Sequence, residues 1–311
     1  MEQRRNEWVM HVWGKKRDTL ELTNVEKFHI DMLKMFQDRQ KVFDKILINI
    51  ALDDIEDMKL FNFLKEEIEK VLVNENVEFK YCQNDEKVCE YVTFRPYVFD
   101  RIGEDVNIFY SHFKGYNSFF QLNKESYPVR ITDMCEMFWS YIMYRYSLNI
   151  EDVMKRLDKY CIYCWYVMKC KEDNINLGYY KQYQEYIQSG NVSLFKTFVA
   201  DDDNKHSPGG FMWYNLKRLG EVLENKPFIR DISTDYILKQ SEKHNVGLRT
   251  HFSELYLMNY LPSDECYSVN DYNKEVLEFM GPLYTTIYPS KKIAREFLKD
   301  FEKYLMDNEL I

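Results

Sequence analysis

Glycine is scarce: there are 10 in 311 residues, and no two are separated by a single residue. That excludes the Gly-x-Gly turn with which dinucleotide-binding folds approach a pyrophosphate. No Gly-x-x-x-x-Gly-Lys phosphate loop is present either. A surplus of cations is missing too. With 42 Lys+Arg against 51 Asp+Glu the formal net charge is -9, the wrong sign for a general nucleic-acid binder, whose affinity rests on basic surface. Long apolar runs are absent: the longest uncharged stretch, Phe279 to Ser290, has 12 residues, too few to span a bilayer. Met1 to Glu7 runs into acidic and aromatic residues without a signal-peptide apolar core. Seven cysteines, an odd number at no framework spacing, read as reduced thiols of a cytoplasmic protein.

Aromatic side chains are abundant: 25 Tyr, 21 Phe and 5 Trp. With 45% hydrophobic residues the chain can bury a sizeable core, which excludes wholesale disorder. Tyr and Trp suit sugar stacking, and they suit an ordinary core equally.

The first third alternates between two periodicities. Strands are expected at Trp8–Gly14, Phe43–Leu52, Val77–Tyr81 and Val106–Tyr110. Helices are expected at Asn24–Arg39, Met58–Val71 and Tyr91–Ile102. This order predicts an α/β fold with a mostly parallel sheet flanked by helices, in which ligands sit beyond the carboxyl ends of the strands. Further on, helix is expected over Ile131–Leu157, Tyr180–Ile187 and Tyr214–Leu223, and strand over Cys161–Lys169 and Leu194–Ala200. An amphipathic helix follows Pro289-Ser290, with Ser290 as its cap. The division implied is a main domain over residues 1–260 and a C-terminal helical extension over 261–311.

Three segments carry side chains suited to chemistry. At the end of the fourth strand stands His112-Phe113-Lys114-Gly115. Many nucleotide-sugar transferases place a metal-holding Asp-x-Asp there. Here Lys114 offers a diphosphate positive charge directly, and Gly115 lets backbone N–H groups approach it. The second segment is His206-x-x-Gly209-Gly210-Phe211-x-Trp213, holding the one Gly pair of the chain. It reads as an acceptor site with Phe211 and Trp213 as an apolar platform, or as a loop leading into a core Trp. The third is Asp201-Asp202-Asp203, a candidate general base or a Mg²⁺ or Mn²⁺ site through Asp201 and Asp203, with solvated loop carboxylates as the competing reading. His11 and Trp13 end the first strand, where a nucleotide base could stack, and Glu254 is a further acceptor-side carboxylate. Cys161-x-x-Cys164 lacks a second ligand pair at zinc spacing.

Together these segments resemble a family of bacterial and viral glycosyltransferases associated with surface polysaccharide synthesis. Its members carry Glu-x-x-Thr before a helix, matched by Glu90-Tyr91-Val92-Thr93, and Tyr-x-His-x-Lys-Gly, matched by Tyr110-Ser111-His112-Phe113-Lys114-Gly115. An Asp-Trp-Arg helix start keeps Asp133, while Met134 and Cys135 replace the other two residues. A His-Phe-Ser-Gly-Asn-Phe-Trp-Trp segment is matched at His206, Gly209, Phe211 and Trp213, with Gly210 and Met212 as departures. The resemblance spans about residues 8–260 and implies a GT-A-like nucleotide-sugar transferase of Rossmann-like architecture.

The expectation is therefore a hexosyltransferase acting from a UDP-sugar on a saccharide acceptor, free or lipid-linked. The donor side would be formed by His11, Trp13, Glu90, Thr93, His112, Lys114 and Gly115. The acceptor side would be formed by Gly209, Gly210, Phe211, Trp213 and Glu254, with the base among Asp201, Asp202, Asp203 and His206. No metal is expected to be required, Mn²⁺ or Mg²⁺ at Asp201 and Asp203 being the alternative. Nucleic acid is not an expected partner. Basic residues of the last helix leave peripheral contact with the inner membrane face open. A competing class is a saccharide-binding or scaffold subunit on a degenerate transferase fold.

Overall fold

The computed structural model describes residues 4–84, 91–113, 144–166, 168–169, 205–206, 211–224, 261 and 263–270. In chain order these form β1 (Arg5–Gly14), α1 (Asn24–Met35), α2 (Gln37–Gln40), β2 (Lys45–Leu52), α3 (Met58–Glu69), β3 (Val77–Gln83) and α4 (Tyr91–Tyr97). A short 3-10 turn at Phe99–Arg101 leads into β4 (Val106–Phe113). Then come α5 (Ile150–Leu157), β5 (Ile162–Tyr166), β6 (Met168–Lys169), β7 (Lys205–His206), β8 (Phe211–Asn215), α6 (Leu216–Leu223) and β9 (Cys266–Asn270).

Seven strands make one sheet in the order β3-β2-β1-β4-β8-β5-β9, and β6 pairs with β7 separately. Strands β3, β2, β1 and β4 are mutually parallel, β8 runs antiparallel to β4 and β5, and β9 is parallel to β5. The chain is thus a mixed α/β protein with a mostly parallel sheet, and its β3-β2-β1-β4 half has the order of a Rossmann-type mononucleotide-binding unit.

The local sequence explains these elements. In β1, β2 and β4 nearly every residue is buried, as expected for strands covered by helices on both faces. Helix α1 begins with a capping box, in which Thr23 Oγ1 accepts from Glu26 N–H and the Glu26 carboxylate accepts from Thr23 N–H. Helix α3 is capped by Asp57, which accepts from Leu60 N–H, and buries Leu60, Phe61, Leu64 and Ile68 at helical spacing.

One face of the sheet presents Trp8, Met10, Ile46, Ile48, Phe109 and Trp213 to a core completed by α1, α3 and α5. The opposite face presents His11, Trp13, Tyr110 and His112 and is covered by α4, whose Phe94 ring meets Tyr110 and Tyr214 edge-on. Helix α6 comes close to the turn after the 3-10 segment. A Cβ on Gly220 would lie 2.7 Å from Gly103 Cα, and Gly103 itself holds a φ of +105°, so both positions suit only glycine.

Several expectations are corrected. The first helix ends at Met35 instead of Arg39, because the chain breaks at Phe36 before the short α2. Residues 211–215 are a strand beside β4, and the helix expected from Tyr214 begins only at Leu216, with Asn215 as its cap. Cys266–Asn270, within the span expected as a helical extension, is an edge strand of the main sheet. The strand expected at 194–200, the helices expected at 180–187 and after Ser290, and residues 131–143 of the middle helix lie outside the described residues.

Candidate functional site

The chain leaves β1 on one side to build β2 and β3, then returns to place β4 on the other side of β1. Strands β1 and β4 therefore flank the topological switch point, whose crevice at the carboxyl ends is the ligand position in sheets of this kind. At that end His11 and His112 are register partners, so their side chains share one face. Their ring centroids are 6.0 Å apart. Trp13, two residues nearer the carboxyl end, stands edge-on to both, at 4.5 Å from His11 and 5.0 Å from His112. Tyr110 closes the group at 5.4 Å from His112.

Helix α4 and strand β2 add hydrogen-bonding groups beneath the rings. His11 Nδ1 lies 2.6 Å from Thr93 Oγ1. Asn49, level with His11 on β2, donates through Nδ2 to Thr93 Oγ1 at 2.8 Å and contacts Cys82 Sγ at 3.2 Å. All of these except Cys82 are buried: His11 and Thr93 are 0% exposed, His112 and Asn49 2%, and Trp13 4%. Among the described residues His11 Nε2 has no hydrogen-bond partner. An unpaired buried polar nitrogen is uncommon enough in native proteins to call for an explanation.

Burial first, and the neighbouring His112 second, hold the His11 imidazole well below its ordinary pKa, so the ring is neutral in the folded chain. The sign of the linkage follows. As pH falls below the unfolded value of about 6.5, the unfolded chain takes up a proton that the folded chain refuses, and stability declines by up to ~1.4 kcal/mol per pH unit. Denaturation midpoints measured between about pH 7 and pH 5 should show this slope, and His11→Gln should flatten it. An unchanged slope in the variant would show that His11 is not the group excluded from protonation.

The loop leaving β1 carries Lys15, Lys16 and Arg17, which the sequence reading passed over. The Arg17 guanidinium is forked onto the Glu26 carboxylate at 2.6 and 2.7 Å and donates to the carbonyls of Lys15 and Glu21. Lys16 N–H donates to Asp53 at 3.0 Å, and Asp53 also accepts from Asn84 at 2.7 Å. The loops after β1, β2 and β3 are thus tied together at the carboxyl edge, with Lys16 exposed there.

Among the expected donor-side residues, the structure brings together His11, Trp13, Thr93 and His112. Glu90, Lys114 and Gly115 lie outside the described residues, as do Asp201, Asp202, Asp203, Gly209, Gly210 and Glu254. His206 is in β7, paired with Met168 of β6 in a separate two-stranded sheet. The expected acceptor platform is corrected. Trp213 is 0% exposed and Phe211 5%, and Trp213 stacks on Phe109 at 5.2 Å and Phe43 at 5.4 Å. Its indole N–H donates to Ser147 O at 2.7 Å. Trp213 pairs with Phe109, three residues before His112, so the sheet itself separates Trp213 from the imidazole pair. Trp13 is also almost covered, so a base could stack on it only after its ring turned.

Asn49 went unnoticed in the sequence. Its signal is an amide amid the apolar run Ile46-Leu47-Ile48-Asn49-Ile50-Ala51-Leu52, where a buried polar residue needs partners. Among the described residues no group of three or more His, Cys, Asp or Glu could hold a metal ion, and no helix is long and apolar enough to cross a membrane.

No protein-family model and no curated protein matches the chain. Among solved structures, 4-diphosphocytidyl-2C-methyl-D-erythritol synthase from Anaerococcus prevotii is similar over 95% of this chain and 98% of its own, at 10% identity and a TM-score of 0.32. Rv0371c from Mycobacterium tuberculosis is similar over 53% of this chain and 68% of its own, at 13% identity and a TM-score of 0.24. The same protein solved with manganese covers 76% of this chain and 99% of its own, at 11% identity and a TM-score of 0.25. Likeness at this level identifies neither a family nor an activity.

Proposed function

We propose that the chain is a GT-A-like glycosyltransferase that moves a hexosyl unit from a UDP-sugar to a saccharide acceptor, free or lipid-linked, in surface polysaccharide synthesis at the cytoplasmic side of a membrane. The observation that carries this reading is the His11–His112 pair at the carboxyl ends of β1 and β4, on either side of the switch point. The Tyr-x-His-x-Lys-Gly segment supports it, because its first four residues, Tyr110 to Phe113, are the last four of β4. Lys114 then directly follows the strand.

The departing nucleoside diphosphate develops negative charge that the site must stabilise. Lys114 is assigned that task, with His112 assisting and Lys16, on the loop after β1, as a second cation. An inverting transfer also needs a base for the acceptor hydroxyl. Asp201, Asp203 and His206 are retained as candidates, and the acceptor side is assigned to Gly209, Gly210 and Glu254 without Trp213 or Phe211.

A thermal-shift screen of nucleotides and sugar nucleotides tests this reading. A ligand that binds only the folded chain raises the unfolding midpoint, by an amount that grows with the ratio of ligand concentration to Kd. UDP and UDP-sugars should raise the midpoint, and a UDP-sugar with a suitable acceptor should release UDP. No response to any nucleotide would overturn the proposal. Stabilisation by saccharides without UDP release from any donor would favour the binding-subunit alternative.

A further inference from the structure

Strand β3 ends the sheet, and among the described residues no strand lies beyond it. Ile46 N–H donates to Asn76 O at one end of its ladder with β2, and Asn84 N–H donates to Leu52 O at the other. Bonding alternates along such a ladder, so Glu78, Lys80 and Cys82 turn their backbone groups to β2. Val77, Phe79, Tyr81 and Gln83 turn theirs outward, to the open edge. An open edge of this kind is a template for another strand. Its side chains are held in place from both layers. Lys65 Nζ of α3 lies 5.5 Å from the Phe79 ring centroid, Tyr81 meets Phe61 of α3 at 5.2 Å, and Lys80 lies over Tyr97 of α4 at 5.6 Å. Tyr81 nonetheless stays 48% exposed.

We infer that β3 docks a second copy of this chain, antiparallel, about a twofold axis through Phe79. In that register Phe79 exchanges both backbone hydrogen bonds with the partner's Phe79. Val77 and Tyr81 do the same with the partner's Tyr81 and the partner's Val77. On the α3 side each Val thus faces an aromatic ring, a favourable cross-strand pair. On the α4 side Glu78 faces the partner's Lys80, and Lys80 faces the partner's Glu78. Both side chains are available for this, at 37% and 44% exposure, although they already meet each other along the strand at 2.9 Å. An axis through Glu78 or Lys80 would set like charges opposite each other. An axis through Val77 or Tyr81 would leave both charges facing neutral residues. The charge pattern therefore selects a copy of itself, as an isologous contact requires. Lys80, which would deter an unrelated strand, suits this one. A single strand pair buries less than a permanent interface, so the association is reversible. The inference concerns a surface apart from the switch-point crevice and does not depend on the transferase reading.

Sedimentation velocity over a series of protein concentrations tests it. The unaltered chain should show a monomer–dimer equilibrium. Glu78→Lys and Lys80→Glu each set like charges across the axis at two symmetric places, and each should weaken dimerisation at least about tenfold. The double variant Glu78→Lys with Lys80→Glu exchanges the signs within one chain. Opposite charges then face each other again, and the dimer should return. Tyr81→Pro removes an outward N–H that β2 does not use, so the chain should fold and the dimer should be lost. Circular dichroism of each variant checks that the fold is kept. Should Tyr81→Pro fail to fold, the charge exchange decides the matter alone.

A chain that stays monomeric at every concentration overturns the inference. So does a dimer that both single charge reversals leave intact, since it would be joined through another surface. Loss of the dimer in the single variants without recovery in the double variant overturns the register about Phe79. Each of these results leaves the transferase reading standing, because that reading is tested by nucleotide binding.

Discussion

Replacing Trp213 with Ala should lower folding stability by about 3–5 kcal/mol, the usual cost of emptying a large aromatic site in a core. The indole is wholly buried, stacks on Phe43 and Phe109, and belongs to the same core cluster as Phe211 and Tyr144. Its N–H satisfies the Ser147 carbonyl, which the variant would leave unpaired. Trp213→Phe should recover much of the packing but not that hydrogen bond. Denaturant titration of the three proteins checks both statements. A Trp213→Ala chain of undiminished stability that had lost only saccharide binding would restore the platform role that the structure removes.

Arg17→Ala should be comparably severe. The Glu26 carboxylate is fully buried and Arg17 is 13% exposed, so the pair sits away from solvent screening. Removing the guanidinium leaves the carboxylate the Thr23 N–H donor and, among the described residues, no countercharge. Breaking such a pair costs about 3–5 kcal/mol. Deleting the charge on both sides, in Arg17→Met with Glu26→Gln, should recover most of the loss. The loop from Lys15 to Glu21 would lose its anchor in Arg17→Ala, so nucleotide-dependent stabilisation should weaken along with folding stability. A drop below about 1 kcal/mol, the range of exposed ion pairs, would show that the pair is effectively solvated.

Strands β1, β2 and β4 were legible because burial on both faces turns them into largely apolar runs. Leu47 to Leu52 and Val106 to Tyr110 show this most clearly. Strand β8 was not. Phe211, Met212, Trp213 and Tyr214 are apolar on both of its faces, so no alternation marked it, and the Asn215 cap lies right after it. The preceding Gly209-Gly210 pair drew attention to a loop instead. Pattern along one segment also cannot reveal which sheet face a ring occupies, so the sequence does not show that the sheet divides Trp213 from His112.

Part of the cluster at the ends of β1 and β4 was legible in the sequence. His11 and His112 were singled out on separate strands, and the parallel register of β1 and β4 makes them neighbours. Thr93 was picked up through the resemblance, and the structure supplies its physical role as the hydroxyl between Asn49 and His11. Asn49 needed three elements in place before its amide could be seen to matter.

The central claim is that a sugar nucleotide binds where β1 and β4 part company. A crystal structure of the chain grown with saturating UDP or a UDP-sugar tests it most directly. The account predicts nucleotide density beyond the carboxyl ends of β1 and β4, with an imidazole nitrogen of His11 or His112 within hydrogen-bond distance of the ligand. Nucleotide bound elsewhere on the chain, or a crevice closed by protein alone under those conditions, would contradict it.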